Sequence, residues 1–282
     1  MDDASKEGRI QVLCWWARNV SQKEWKWSVK AMDCASERGY LHILEWWKQN
    51  IPSTEWKWSA ASMDAASRNG HLHILKWWKD NIIQNEWKWS KEAMDGASEY
   101  GHLHILDWWK EHFLISEWKW SIQAMDGASQ WGQVSALNWW KENLPRKKWK
   151  WSDKAMDYVS LQGYVDSLNW WKANIPRKQW KWSNIAIDMA SDEGFNHILD
   201  WWKENVPSVE WKWTESAMNL ASQNGHTHTL EWWKNNFPKK DWKCTSNALA
   251  SWSEDESPSM WWWRKNDALV EDIQLIDKHK RR

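Results

Sequence analysis

Residues 59–89 read SAASMDAASRNGHLHILKWWKDNIIQNEWKW, and copies of this pattern follow one another along most of the chain. Trp pairs begin at Trp15, Trp46, Trp77, Trp108, Trp139, Trp170, Trp201 and Trp232, a constant step of 31 residues with no insertion or deletion. Gly8, Gly39, Gly70, Gly101, Gly132, Gly163, Gly194 and Gly225 keep the same step. So does Trp-Lys-Trp, from Trp25-Lys26-Trp27 to Trp211-Lys212-Trp213, fading to Trp242-Lys243-Cys244. Self-similarity at a fixed period of this length marks an array of supersecondary units, none of which buries its apolar face alone.

Each copy carries its own helix punctuation. Ser59 is placed to N-cap a first helix from Ala60 to about Asn69, whose small apolar residues around Met63 and Ala66 let another helix approach closely. Gly70 supplies a turn that accepts positive φ. A second helix runs from about His71 to Asp80, with Leu72, Leu75 and Trp78 on one face and Ile74 and Trp77 flanking it. Asn81 stands where a left-handed C-cap is expected, and five copies place Pro two residues further on (Pro52, Pro145, Pro176, Pro207, Pro238), which stops the helix. Glu86-Trp87-Lys88-Trp89 alternates with period two and reads as extended. Helix, turn, helix and extended return predict an all-α chain, an α-solenoid of about eight stacked helix-turn-helix repeats.

Residues Ser67-Arg68-Asn69-Gly70-His71-Leu72-His73-Ile74-Leu75-Lys76 resemble the ankyrin stretch A-x-x-G-H-L-x-I-V-x, and Met63-Asp64-Ala65-Ala66-Ser67 is similar to its L-H-x-A-A. The resemblance runs from Met1 to about Ala250. It departs from the ankyrin pattern in a period of 31 rather than about 33, in lacking T-P-L-H, and in having no Asp-Gly or Asn-Gly at a hairpin tip. The helix pair is supported; the projecting β-hairpin finger lacks its signature. The resemblance implies a binding protein whose first helices and adjoining loops line a concave face.

Composition narrows the function classes. Of 282 residues 36 are Trp, and most of these are two pairs of positions copied many times. The mean hydropathy of −0.89 understates the buriable area, because the indole is a large apolar ring carrying a single N–H. Thirty-eight Lys and Arg cancel 38 Asp and Glu, so the field that draws a protein onto duplex DNA is missing. Cys14, Cys34 and Cys244 show no CxxC spacing, which argues against a disulfide framework or zinc site and for a reducing, cytoplasmic setting. No run of 18 apolar residues predicts a membrane span.

The repeated polar residues allow competing readings. The Trp pairs are expected in the core, with an ultraviolet-absorbing array as the functional alternative. Rings i and i+2 of Trp-Lys-Trp share one side, which either covers helix ends with Lys toward water or offers platforms to single-stranded nucleic acid, to a carbohydrate or to a protein. An acidic residue before most copies cancels that field, so nucleic acid is not the expected partner. The ladder Asp33, Asp64, Asp95, Asp126, Asp157 and Asp188 suits a helix start or a Trp N–H, with a cation column as the sharper reading. His71/His73, His102/His104 and His226/His228 diverge around a helix by about 200°, so hydrogen bonding at the turn is expected rather than metal. No unique nucleophile, base and orienter converge, so neither an enzyme nor a cofactor is expected.

Subtracting the repeat leaves the residues around the glycine. Arg38, Asn69, Tyr100, Trp131 and Gln162 precede it and Tyr40, His102 and Tyr164 follow it; these are the candidate partner-binding residues. Paired aromatics such as Tyr100 and Trp131 suit a hot spot. The domain reading is 1–250 repeat array with an incomplete first copy, 251–259 polar linker, and 260–282 capping helix with the basic tail His279-Lys280-Arg281-Arg282. Met1-Asp2 aligns with Met32-Asp33, which leaves the first copy without its lead-in and raises end-to-end self-association as a further partner reading. The expected function is a non-enzymatic scaffold for another protein. The alternatives are a light-responsive Trp array and a filament component.

Overall fold

The computed structural model describes residues 1–249 and 257–266, in two compact units, Met1–Trp151 and Ser152–Arg282. Residues 251–256 of the expected linker and 267–282 of the expected helix, including Leu269, Ile273, Ile276 and the basic tail, fall outside the described residues, whereas Pro258 and Ser259, expected in the linker, are already helical. Within them, helix Pro258–Lys265 is capped by Ser257, whose hydroxyl accepts from the Met260 N–H.

In the first unit the helix pairs follow one another as Asp2–Lys6 and Ile10–Asn19, Lys30–Glu37 and Leu41–Asn50, Ala61–Arg68 and Leu72–Asn81, Lys91–Glu99 and Leu103–His112, Ile122–Gln130 and Val134–Asn143. First helices pack on first helices of the neighbouring repeat, and second helices on second helices. The second unit repeats the arrangement with Lys154–Gln162 and Val165–Asn174, Ile185–Asp192 and Asn196–Asn205, Ser216–Gln223 and Thr227–Asn236. No β-strand occurs among the described residues. In place of a hairpin finger, a single 3₁₀ turn such as Ser53–Glu55 leads into the extended Trp-Lys-Trp segment.

Indoles fill the space between helices. Trp56 stacks on Trp77 at 5.3 Å, Trp58 stacks on Trp78 at 4.4 Å, and Trp77 meets Trp78 edge to face at 5.0 Å. Both indoles of each pair from Trp46-Trp47 to Trp232-Trp233 are buried, whereas Trp15 is 55% exposed. A fully buried indole removes about 150–250 Å² from water, or roughly 4–6 kcal/mol in transfer terms. A hydrogen bond contributes about 1 kcal/mol net. The rings therefore supply the stability, and the polar contacts set the register.

That register is held by partners in the neighbouring repeat. Asp33 accepts from the Ser59 N–H at 2.9 Å and from the Ser59 hydroxyl at 2.5 Å, while Ser59 Oγ accepts from the Ala61 N–H and so caps its own helix. The same clip joins Asp64 to Ser90, Asp95 to Ser121, Asp157 to Ser183 and Asp188 to Thr214. The Asp ladder thus binds the next helix start rather than a Trp N–H. The N–H of Trp78 goes instead to Ser36 Oγ at 3.0 Å, and Trp109 and Trp140 use Ser67 and Ser98 in the same way.

Two further expectations are corrected. Lys is exposed but does not simply hang in water: Lys57 Nζ reaches back to donate to the Trp27 carbonyl at 3.1 Å and stands 4.8 Å over the Trp27 ring. A cation on a long stem gains more over an aromatic face and a free carbonyl than in bulk solvent. Asn81 is not a left-handed cap. It is the last helical residue, Ile82 after it is extended, and its Nδ2 donates to the Trp77 carbonyl at 2.7 Å. The side-chain amide satisfies a terminal carbonyl that the left-handed turn would otherwise have served.

The turn between helices needs glycine. Gly70 has φ +74°, and an added Cβ would lie 3.0 Å from two atoms of the His102 ring. Gly70→Ala is expected to destabilise the first unit by about 1–2 kcal/mol from the left-handed backbone alone. The urea midpoint followed by circular dichroism measures it, and an unchanged midpoint would show that the turn relaxes.

Candidate functional site

The first helices of the first unit end in a row of side chains that differ from copy to copy. Arg38, Asn69, Tyr100 and Trp131 are the helix C-caps, each followed by a glycine of positive φ. Each touches the preceding repeat. Arg38 Nη1 lies 3.4 Å from Glu7 Oε2, and Asn69 Nδ2 donates to the Glu37 carbonyl at 2.8 Å. The Arg68 guanidinium stands 5.5 Å over the Tyr100 ring and 3.7 Å from Glu99, and Glu99 in turn accepts from the Trp131 N–H at 3.3 Å. Arg68, Glu99, Tyr100 and Trp131 thus form one connected ridge. Tyr100 is 44% and Trp131 39% exposed, while the paired indoles behind them are buried.

Tyr40 and His102, which follow the glycine, are placed differently. The Tyr40 ring covers Gly8 and the His102 ring covers Gly70, so both are half-buried fillers of the turn. Burial holds the His102 imidazole below its ordinary pKa, reinforced by neighbouring His104, and His71 is depressed in the same way with His73 as neighbour. His73 Nε2 lies 3.0 Å from the Gly39 carbonyl and His104 Nε2 lies 3.1 Å from that of Gly70. These imidazoles are engaged in turn contacts, and no cluster of three His, Cys, Asp or Glu side chains among the described residues is arranged for a metal ion. Gln162 and Tyr164 belong to the second unit. There Gly163 itself closes the helix at φ +78°, Gln162 is half-buried, and Tyr164 is 40% exposed.

Sequence reasoning missed the support of the ridge. Gly96 and Gly127 sit inside first helices, at the position held by Cys34, Ala65, Tyr158, Met189 and Leu220 in other copies. A Cβ on Gly96 would lie 2.8 Å from Arg68 Cβ, and one on Gly127 would lie 3.1 Å from Glu99 Cβ. A helix-interior glycine costs roughly 0.5–1 kcal/mol relative to Ala. Here it makes room for the two charged residues that brace Tyr100 and Trp131. The available signal was the pair of opposite charges, Arg68 and Glu99, one period apart beside the only two such glycines.

No family model and no curated protein matches the sequence. Among solved structures, the chain is similar to the ankyrin repeat domain of human ASB11, at 11% identity and a TM-score of 0.50, covering 71% of this chain and 96% of that one. The fold is ankyrin-like. The pentatricopeptide repeat protein PPR10 in complex with an 18-nt psaJ RNA element gives a TM-score of 0.49 at 9% identity, over 94% of this chain and 43% of that one. The ankyrin-like helix pair keeps its glycine turn here and replaces the finger by the Trp-Lys-Trp segment. No helix among the described residues is long and apolar enough to cross a membrane.

Proposed function

We propose that the chain is a non-enzymatic scaffold that binds another protein through the ridge formed by Arg38, Asn69, Tyr100 and Trp131. The observation that carries this is the pair of helix-interior glycines. Gly96 and Gly127 occur in the two repeats that bear Tyr100 and Trp131, and each admits the charged residue that braces one of these rings. Helix propensity alone favours Ala at both positions, but the close approach that braces the exposed rings leaves no free space for its Cβ. Preorganised aromatic side chains held by a salt-bridged pair bind with little further loss of side-chain entropy.

The ankyrin-like fold supports the same face, since residues at first-helix ends and adjoining turns are those in which neighbouring copies differ. A partner captured by the immobilised full chain is expected to lose at least about 2 kcal/mol, roughly 30-fold in Kd, with Tyr100→Ser and Trp131→Ser together. Val209→Ser, at an exposed turn of the second unit, is expected to leave binding unchanged. Retention of the partner by the double variant would place recognition elsewhere.

A further inference from the structure

The buried and half-buried indoles are arranged as regular four-ring clusters rather than as a generic apolar filling. In the first unit Trp87 stacks on Trp108 at 5.5 Å, Trp89 on Trp109 at 4.3 Å, and Trp108 meets Trp109 edge to face at 4.9 Å. Trp118, Trp120, Trp139 and Trp140 reproduce the cluster at 5.3, 4.7 and 5.0 Å. In the second unit Trp180, Trp182, Trp201 and Trp202 do so at 5.5, 4.6 and 5.2 Å. Like chromophores this close exchange an absorbed quantum faster than they emit it, because dipole coupling falls steeply with separation. The edge-to-face contacts turn the transition moment at each step, so polarisation is lost as the excitation moves.

Each cluster also meets an ammonium at a fixed place. Lys88, Lys119 and Lys150 stand 4.6, 4.5 and 4.2 Å over Trp58, Trp89 and Trp120, and in the second unit Lys212 and Lys243 stand 4.9 and 4.4 Å over Trp182 and Trp213. The same Nζ donates to the backbone carbonyl of the residue whose ring it covers, at 3.0, 2.8, 3.0, 2.6 and 2.7 Å in that order. All eight copies keep this Lys, while the turn just before it drifts. A ground-state indole does not take a proton from an ammonium, but an excited indole is a much stronger base at its ring carbons. One proton passing from Nζ to a ring carbon and back leaves atoms and charge unchanged and releases the quantum as heat.

We propose that each unit acts as an ultraviolet sink, in which stacked indoles pool excitation and the lysine-covered ring returns it to the ground state without emission. This is independent of the binding ridge, which uses other residues and another surface.

The experiment compares the full chain with a variant carrying Lys57→Arg, Lys88→Arg, Lys119→Arg and Lys150→Arg. Arginine keeps the charge, the cation–π contact and the donor to the carbonyl, but it does not give up its proton. Emission per Trp is expected to be severalfold weaker in the folded chain than in the urea-unfolded chain. It is expected to be depolarised across the main indole band, with polarisation recovered only at the red edge. The arginine variant is expected to regain several-fold brightness at unchanged circular dichroism. If the fourfold variant does not fold, Lys88→Arg alone is expected to lengthen one lifetime component. Folded emission as bright as unfolded, polarisation retained across the band, or unchanged emission in a folded arginine variant would each overturn the proposal.

Discussion

Trp109→Ala is expected to remove about 3–5 kcal/mol, the range for truncating a fully buried large aromatic residue. Trp109 has no solvent exposure, stacks on Trp89 at 4.3 Å, lies 5.5 Å from Phe113 and donates to Ser67 Oγ at 3.0 Å. The loss is a large share of the roughly 5–15 kcal/mol by which domains are stable. Trp109→Phe keeps a ring in the stack and loses the Ser67 bond, so a smaller loss of about 1–3 kcal/mol is expected. Urea unfolding of the full chain followed by far-ultraviolet circular dichroism separates the two. Equal losses in the two variants, both of which lack the Ser67 bond, would show that the hydrogen bond, and not the stack, holds the repeat.

Asp95→Ala is expected to destabilise by about 2–4 kcal/mol, because it strips the Ser121 N–H of its buried acceptor and frees the helix cap. Asp95 accepts from the Ser121 N–H at 2.8 Å and from its hydroxyl at 2.5 Å, and Ser121 Oγ accepts from the Gln123 N–H at 3.2 Å. Asp95→Asn is expected to cost under about 1 kcal/mol. Asn219 already performs this role, accepting from the Thr245 N–H at 3.0 Å and donating to its hydroxyl at 2.9 Å.

The pair also fixes a pH dependence. Burial raises the Asp95 carboxyl above its ordinary 3.8, against the opposing effect of the Ser121 hydrogen bonds. Between 3.8 and that raised value the folded chain keeps a proton that the unfolded chain has released. The contribution of this group to stability is therefore fully present below 3.8 and is lost as pH rises through the folded value. The stability of the natural chain relative to Asp95→Asn is expected to improve on acidification through that window. An advantage that instead shrinks with acid would mean that the Ser121 bonds dominate over burial.

The repeat, the helix pair, the glycine turn and the burial of the Trp pairs were legible in residues 59–89. Each rests on something local: a 3.6-residue period, a cap at Ser59, a left-handed Gly70, a ring too large and apolar to leave in water. The ridge was legible only in part. Tyr100 and Trp131 stood out as departures from the repeat, but that Arg68 and Glu99 brace them depends on how one repeat packs on the next. Tyr40 and His102 varied for a different reason, since each fills the space over a neighbouring glycine.

What the chain alone determined is the architecture of one repeat and its period, because backbone preference and apolar spacing act within a few residues of one another. Only the tertiary structure decided where the polar groups find partners. Asp95 meets Ser121 26 residues away, Lys88 reaches Trp58 30 residues back, His104 meets Gly70 across 34 and Trp109 meets Ser67 across 42. None of these offsets is a period of helix or strand. They are set by how far one repeat is displaced and rotated on the next, and that displacement follows from the volume of the indoles packed between them.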